Sequence, residues 1–346
     1  MGLMSRGWKP KRLRDQVIVI TGASSGIGLT TARAAAERGA RVVLTARNQE
    51  DLRLATEEIN MRGGRATHVV ADVALPEEVD RIADVARREF GGFDTWVNNA
   101  GISIYGKLTD VPMEDKKRLF DVNFWGVVNG CRTAVRHFRD HGGTIINIGS
   151  VVSDRAVPLQ GMYSASKHAV LGYTDALRME LEHDRLPITV TLVKPASINT
   201  PFVEHARNYM PEAPTLPPPV YAPEVVADAI LRCAERRFRE VTVGGGGRVL
   251  SVMGRVAPRT MDAYMERALF DQQKDKTGKV QSRDSLYYPT QDGNESGPYE
   301  GRVKRSSVYT KAAMSDFTRA LPFIAAGAVI AAGVRYRRAQ EAEKVA

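Results

Sequence analysis

The chain predicts an α/β fold: a doubly wound parallel sheet of about seven strands, followed by a C-terminal extension that is part helical and part disordered. Three observations carry this expectation. Short, largely apolar runs recur at residues 17–20, 41–45, 66–70, 95–97, 144–148, 189–193 and 241–243, the composition of strands buried on both faces. Segments of helical periodicity separate most of them, and strands alternating with helices give a parallel sheet covered on both sides. The first run passes directly into Thr21-Gly22-Ala23-Ser24-Ser25-Gly26-Ile27-Gly28 and then an Ala-rich helical stretch over residues 31–38. Strand, glycine loop and helix in that order aim free backbone N–H groups and the positive end of a helix dipole at a phosphate.

Composition narrows the class. At 346 residues and 43% hydrophobic content the chain can bury a real core. Cys131 and Cys233 are too few for a disulfide framework and have no metal-ligand spacing. A reducing, cytoplasmic setting without structural zinc is the expectation. The net charge of +9 gathers toward the ends, in Arg6, Lys9, Lys11, Arg12 and Arg14 and in the last hundred residues. It reads as basic ends, not as a nucleic-acid surface. No apolar run precedes Asp15, so no signal peptide is expected, and Arg6 stands where a myristoylation pattern needs Ser or Thr.

The second apolar run ends in Ala46-Arg47. In dinucleotide folds this strand end lies beside the adenosine ribose, where an acid would accept from the 2′-hydroxyl and an arginine accommodates a 2′-phosphate. Arg47 therefore favours NADP(H) over NAD(H). A helix over residues 49–62, a strand closed by Ala71-Asp72-Val73, a helix over 75–90 and a short strand running into Asn98-Asn99-Ala100-Gly101 follow. Helical periodicity over residues 113–138 carries Asn123, an amide that needs partners inside an apolar helix. The strand at 144–148 delivers Gly149-Ser150 at its C-terminal end, where open α/β sheets place their ligands. Near the start of the next helical pattern, Tyr163 and Lys167 stand four apart and so share one face. A neighbouring cation stabilises a phenolate, which brings tyrosine toward proton transfer at working pH.

Taken together, Thr21-Gly22-x-x-x-Gly26-x-Gly28, Asn98-Asn99-Ala100-Gly101, Ser150 and Tyr163-x-x-x-Lys167 resemble the short-chain dehydrogenase/reductase family, in its compact single-domain branch. The resemblance covers residues 13–247 and implies a Rossmann-type fold. It also implies an NADP(H)-dependent oxidoreductase acting on a carbonyl or on the CH–OH group of a secondary alcohol. Tyr163 would be the general acid in reduction and Lys167 would depress its pKa and hold the nicotinamide ribose. Ser150 would orient the carbonyl, and Asn123 would anchor a water in a proton path. The implied cofactor site comprises Thr21, Gly22, Ser24, Ser25, Gly26, Ile27, Gly28, Arg47, Asp72, Val73, Asn99, Ala100, Gly101, Tyr163, Lys167, Pro195, Ile198 and Thr200. Pro195-Ala196 departs from the Pro-Gly common in the family and costs some backbone freedom there.

The six histidines are scattered singly, so no metal site or hydrolytic triad is expected. Ala165, Ala169, Gly172 and Ala176 form a small-residue stripe, read either as packing within the subunit or, by the resemblance, as the face of a dimer or tetramer. Residues 201–223 are irregular and follow the strand before Pro195, which makes them a substrate lid. Phe202, Tyr209 and Met210 there favour a lipophilic substrate.

Residues 1–12 form a basic segment, 13–247 the catalytic domain and 248–271 a helical extension; Gly244 to Gly247 read as a turn between the last two. Residues 272–316 are polar and aperiodic, the pattern of an extended or disordered linker, and 317–346 hold an apolar helix with a basic tail. Ala320 and Val334 bound its apolar run, about 22 Å long as a helix against a hydrocarbon core of about 30 Å. A bilayer span, a membrane-surface anchor and a helix docked on protein all remain open. So do two other functions, a dehydratase or epimerase on the same fold and a non-catalytic NADP(H) sensor. The intact Asn123, Ser150, Tyr163 and Lys167 set disfavours both.

Overall fold

The computed structural model describes residues 9–275, 278, 283–291 and 293–315. The chain forms two compact units, one ending at Ser307 and one beginning at Val308, of which the helix Val308–Ala313 is described. The apolar run at 320–334 and the N-terminal residues 1–8 lie outside the described residues. No described helix is long and apolar enough to cross a membrane.

In the first unit, β1 (Val17–Thr21) leads into α1 (Gly26–Glu37), then β2 (Arg41–Ala46), α2 (Gln49–Met61), β3 (Arg65–Val70), α3 (Pro76–Phe90) and β4 (Thr95–Asn98). α4 (Met113–Phe120) and α5 (Gly126–His141) precede β5 (Gly143–Ile148). After it come α6 (Gly161–His183), β6 (Ile188–Pro195), α7 (Pro223–Glu235) and β7 (Glu240–Val243). The strands join in one parallel sheet of order β7-β6-β5-β4-β1-β2-β3. The expected doubly wound architecture is present: α1, α2 and α7 cover one face, α3, α5 and α6 the other.

Burial explains the strand compositions. All five residues of β1 and all six of β5 are buried, and neither strand has an exposed polar side. Fully burying side chains such as Ile18, Ile20 and Ile145 stabilises by about 1.5–3 kcal/mol each. β3 lies at the sheet edge with only Val69 buried, which is why it tolerates Arg65 and His68. Helix ends follow local chemistry too: Asn48 caps α2 by accepting from Asp51 N–H, and α3 starts on Pro76 and stops at Gly91.

Four expectations change. The single helix read over 113–138 is broken by a π-helical turn, Asp121–Trp125, centred on Asn123. The helical extension divides into α8 (Gly245–Val256) and α9 (Pro258–Tyr264), because Pro258 cannot continue the helix before it. Gly245 to Gly247 open α8 and are not a turn; their missing side chains allow contact, since a Cβ on Gly247 would lie 2.2 Å from Val151.

The fourth change is the largest. The reading of residues 272–316 as a disordered linker does not hold for the described ones, which up to Ser307 belong to the same unit as the sheet. Lys274–Asp275 pairs antiparallel with Ala213–Pro214, and Val303–Lys304 pairs in parallel with Val220–Tyr221. Leu286, 1% exposed, sits in the main core. A single buried leucine in an otherwise polar stretch produces no periodic pattern, so its anchoring role is invisible to periodicity.

Candidate active site

The C-terminal ends of β1, β2, β4, β5 and β6 converge on one cavity of about 710 Å³, within the roughly 300–1,000 Å³ usual for ligand pockets. The glycine loop forms one wall. Gly22 has φ +65°, and a Cβ there would lie 2.8 Å from the Ala100 Cα; a Cβ on Gly28 would lie 2.0 Å from the Gly22 carbonyl oxygen. These two glycines let the loop fold against the end of β4, and Ser24, Ser25, Gly26 and Ile27 then line the cavity at the N-terminus of α1. Such a cradle suits a phosphate-bearing ligand.

Thr21 and Asn99 hold this wall together. Asn99 N–H donates to the Thr21 hydroxyl at 2.9 Å, Ala100 N–H to the same oxygen at 3.0 Å, and the Asn99 amide to the Thr21 and Gly22 carbonyls at 2.8 and 3.1 Å. Behind them Asn98 donates to Asn147 at 2.8 Å and Asn147 to Thr174 at 3.0 Å, a buried polar chain tying β4 to β5 and α6. With these partners the buried amides avoid a desolvation cost of about 1–3 kcal/mol each.

The same cavity is lined by Ser150, Tyr163 and Lys167. Ser150 opens a short helical turn, accepting from Val152 N–H at 3.3 Å and donating to the Pro195 carbonyl at 3.4 Å; it also hydrogen-bonds Tyr163. Burial pushes the Tyr163 hydroxyl up to about 12, and the Ser150 bond opposes this. Lys167 is 3% exposed, donates to the Ile148 carbonyl at 2.8 Å and is brought down to about 8 by burial. Its Nζ lies 5.7 Å from the Tyr163 ring centroid. The Tyr163 pKa is raised, against the expected net depression: burial dominates, and it also disfavours the Lys167 ammonium, which donates to Ile148.

Asn123 is fully buried but does not line the cavity. Its carbonyl oxygen accepts from Ile102 N–H at 2.8 Å, while its amide donates to the Ile102 carbonyl at 2.9 Å and to Ser166 at 3.2 Å. The side chain thus joins the π turn to the α6 segment bearing Tyr163 and Lys167. Thr21 and Gly28 likewise stand behind the wall; the other sequence-predicted residues line the cavity.

Ala196 is accommodated by compensation. Its methyl faces Gly244 and Gly247, at which a Cβ would approach to 2.8 and 3.2 Å. Of the three lid residues read as lipophilic only Phe202 lines the cavity, its ring 5.5 Å from that of Tyr163; His205, Leu216 and Pro217 to Pro219 of the expected lid line it as well. Tyr209 bonds Asp115 and Met210 packs with Tyr105 and Leu159. The helical stretch after residue 248, read as packing on the substrate side, supplies Leu250, Met261 and Leu269 to the wall; sequence reading missed Tyr105, Gln160, Ser285, Pro289 and Thr290. Nothing local marks these five residues. No group of three potential metal ligands occurs among the described residues.

A seven-stranded doubly wound sheet with a glycine cradle and a Ser, Tyr and Lys set at its C-terminal edge defines a dinucleotide-dependent oxidoreductase class. The sequence matches the family of short chain dehydrogenases over residues 16–210, and the chain belongs to that family. An uncharacterized oxidoreductase, YxnA, from Bacillus subtilis is 45% identical over 308 residues, 88% of this chain and 86% of that one. Among solved structures, a short-chain type dehydrogenase/reductase from Mycobacterium marinum has TM-score 0.60 and 31% identity, covering 68% of this chain and 96% of its own. An alcohol dehydrogenase from the archaeon Thermococcus sibiricus, complexed with 5-hydroxy-NADP, has TM-score 0.57 and 26% identity, covering 66% and 95%.

Proposed function

We propose that this oxidoreductase transfers hydride between NADP(H) and a lipophilic carbonyl or secondary alcohol, with Tyr163 as acid and base. The observation that carries the reading is the shared cavity: Ser150, Tyr163 and Lys167 line the same space as the glycine cradle and Arg47. When bound, the nicotinamide cofactor supplies or accepts the hydride. In reduction Tyr163 gives its proton to the substrate oxygen, and Ser150 orients that oxygen. A neutral phenol is the form needed to donate, and burial keeps Tyr163 in that form at neutral pH. The buried ammonium of Lys167 stabilises the phenolate left behind. Asn123 acts as a positioning residue through Ile102 and Ser166. The water it would anchor in a proton path remains part of the proposal.

Arg47 and Arg118 near the end of β2 supply positive charge that favours a 2′-phosphate, with Asp72 between them as a partner of Arg118. The apolar wall of Phe202, Leu216, Val249, Leu250, Met261 and Leu269 supports a lipophilic substrate. Ala165, Gly172 and Ala176 are exposed on α6, which keeps a homo-oligomeric contact there part of the proposal. The test is NADPH consumption against ketones and aldehydes of increasing apolar size, with Tyr163→Phe alongside. Turnover lost in the variant supports the reading; cofactor binding without turnover across the series, unchanged in the variant, would sink it.

A further inference from the structure

The groove read here as the dinucleotide site is roofed by the chain's own C-terminal segment. Arg47 donates to the main-chain carbonyls of Ser285, Leu286 and Tyr287, the last two at 3.4 and 3.2 Å. Asn48 donates to the Thr290 carbonyl at 2.9 Å, and Gly26 N–H, in the glycine cradle itself, donates to the Asn294 carbonyl at 2.8 Å. Gly297 then passes so close to Thr200 that a Cβ would lie 2.5 Å from the Thr200 carbonyl oxygen. Residues 284–291 and 293–297 therefore run from the end of β2, past the N-terminus of α1, to the segment after β6.

The roof is anchored away from the groove. Leu286 is buried in the core, the Tyr287 hydroxyl donates to Asp115 at 2.8 Å, and Arg33 donates to Glu295 at 2.6 Å. It covers the cavity without filling it, since Ser285, Pro289 and Thr290 are cavity walls and the space beneath persists.

We propose that this strap gates dinucleotide exchange. A nucleotide lying along the cradle from Arg47 to Thr200 cannot pass laterally while the carbonyls of residues 285–287, 290 and 294 are held by Arg47, Asn48 and Gly26. Exchange therefore requires the strap to lift, and closure follows binding. The inference rests on the proposed dinucleotide site.

The test uses the full chain and a double variant, Tyr287→Phe with Glu295→Ala, which loosens two anchors outside the groove. Stopped-flow fluorescence gives the NADPH association rate, and a chase with excess NADP+ gives the dissociation rate. A gate predicts that both rates rise by roughly tenfold or more, the size expected for losing a charge-assisted hydrogen bond, with their ratio nearly unchanged. In the unaltered chain, NADPH should slow amide exchange across residues 284–291 and 293–297. Unchanged rates, or faster dissociation with unchanged association, overturn the gate. Failure of both NADPH and NADH to bind the unaltered chain overturns the dinucleotide reading instead, and the gate with it.

Discussion

The proposed catalytic patch on α6 and the strap over residues 284–291 and 293–297 bound the same groove but are built in opposite ways. On α6, Tyr163 and Lys167 project from one face of a regular helix, and their spacing alone brings them together. The strap has no regular structure and closes the groove with main-chain carbonyls, which any residue type provides. Chemistry that depends on side chains leaves a motif; contact made by the backbone leaves none.

The largest expected effect tests the first region alone. Tyr163→Phe should cut carbonyl reduction by about 10²–10⁴-fold, as removal of a positioned acid does, while NADPH affinity measured by fluorescence titration stays within a few-fold. Loss of affinity in parallel would mean that the phenol holds the roof or the cofactor as well, and would blur the contrast.

Next in size, Leu286→Ala removes the strap's one core side chain and should cost about 2–5 kcal/mol, read as a lower denaturant midpoint or, if the strap lifts by itself, as early proteolysis confined to it. Neither change would show that the strap holds through its carbonyls alone. Arg47→Asp touches both regions. It should raise the NADPH dissociation constant by about tenfold or more and that of NADH much less; equal losses would leave Arg47 as a strap anchor with no part in reading the 2′-phosphate.

The smallest effect is a pH dependence. Lys167 is lowered from 10.5 to about 8, so the folded chain binds fewer protons than the unfolded chain between those values. From this group, stability rises with pH through that window and is at its lowest below it. Lys167→Met should accordingly raise the thermal midpoint at neutral pH while reducing turnover. In the unaltered chain, reduction should hold level below about pH 8 and decline above it as the ammonium that supports the phenolate is lost. A profile that stays level well past pH 8 would separate Lys167 from proton transfer.

The same division governs what was legible. Seven apolar runs marked the seven strands of the main sheet, because the side chains of all but the edge strand β3 are largely buried. The glycine cradle was legible because Gly22 and Gly28 leave no room for a side chain. Asn123 was marked as an amide needing partners, and from the π turn it finds them in Ile102 and Ser166, which the sequence could not name. Ala196 looked like a departure from pattern until Gly244 and Gly247 were found facing its methyl, one strand away in the sheet.

By itself, then, the sequence determined the sheet, the cradle and the helical face that carries Tyr163 and Lys167, since periodicity, glycine placement and helical spacing act over a few residues. Only the tertiary structure decided the Tyr163 and Lys167 titration, because burial depends on everything packed around them. It also decided that a polar, aperiodic C-terminal stretch returns more than two hundred residues along the chain to cover the groove. Hydrogen bonds from Arg47, Asn48 and Gly26 to backbone carbonyls require proximity and geometry, and neither is written in residue type.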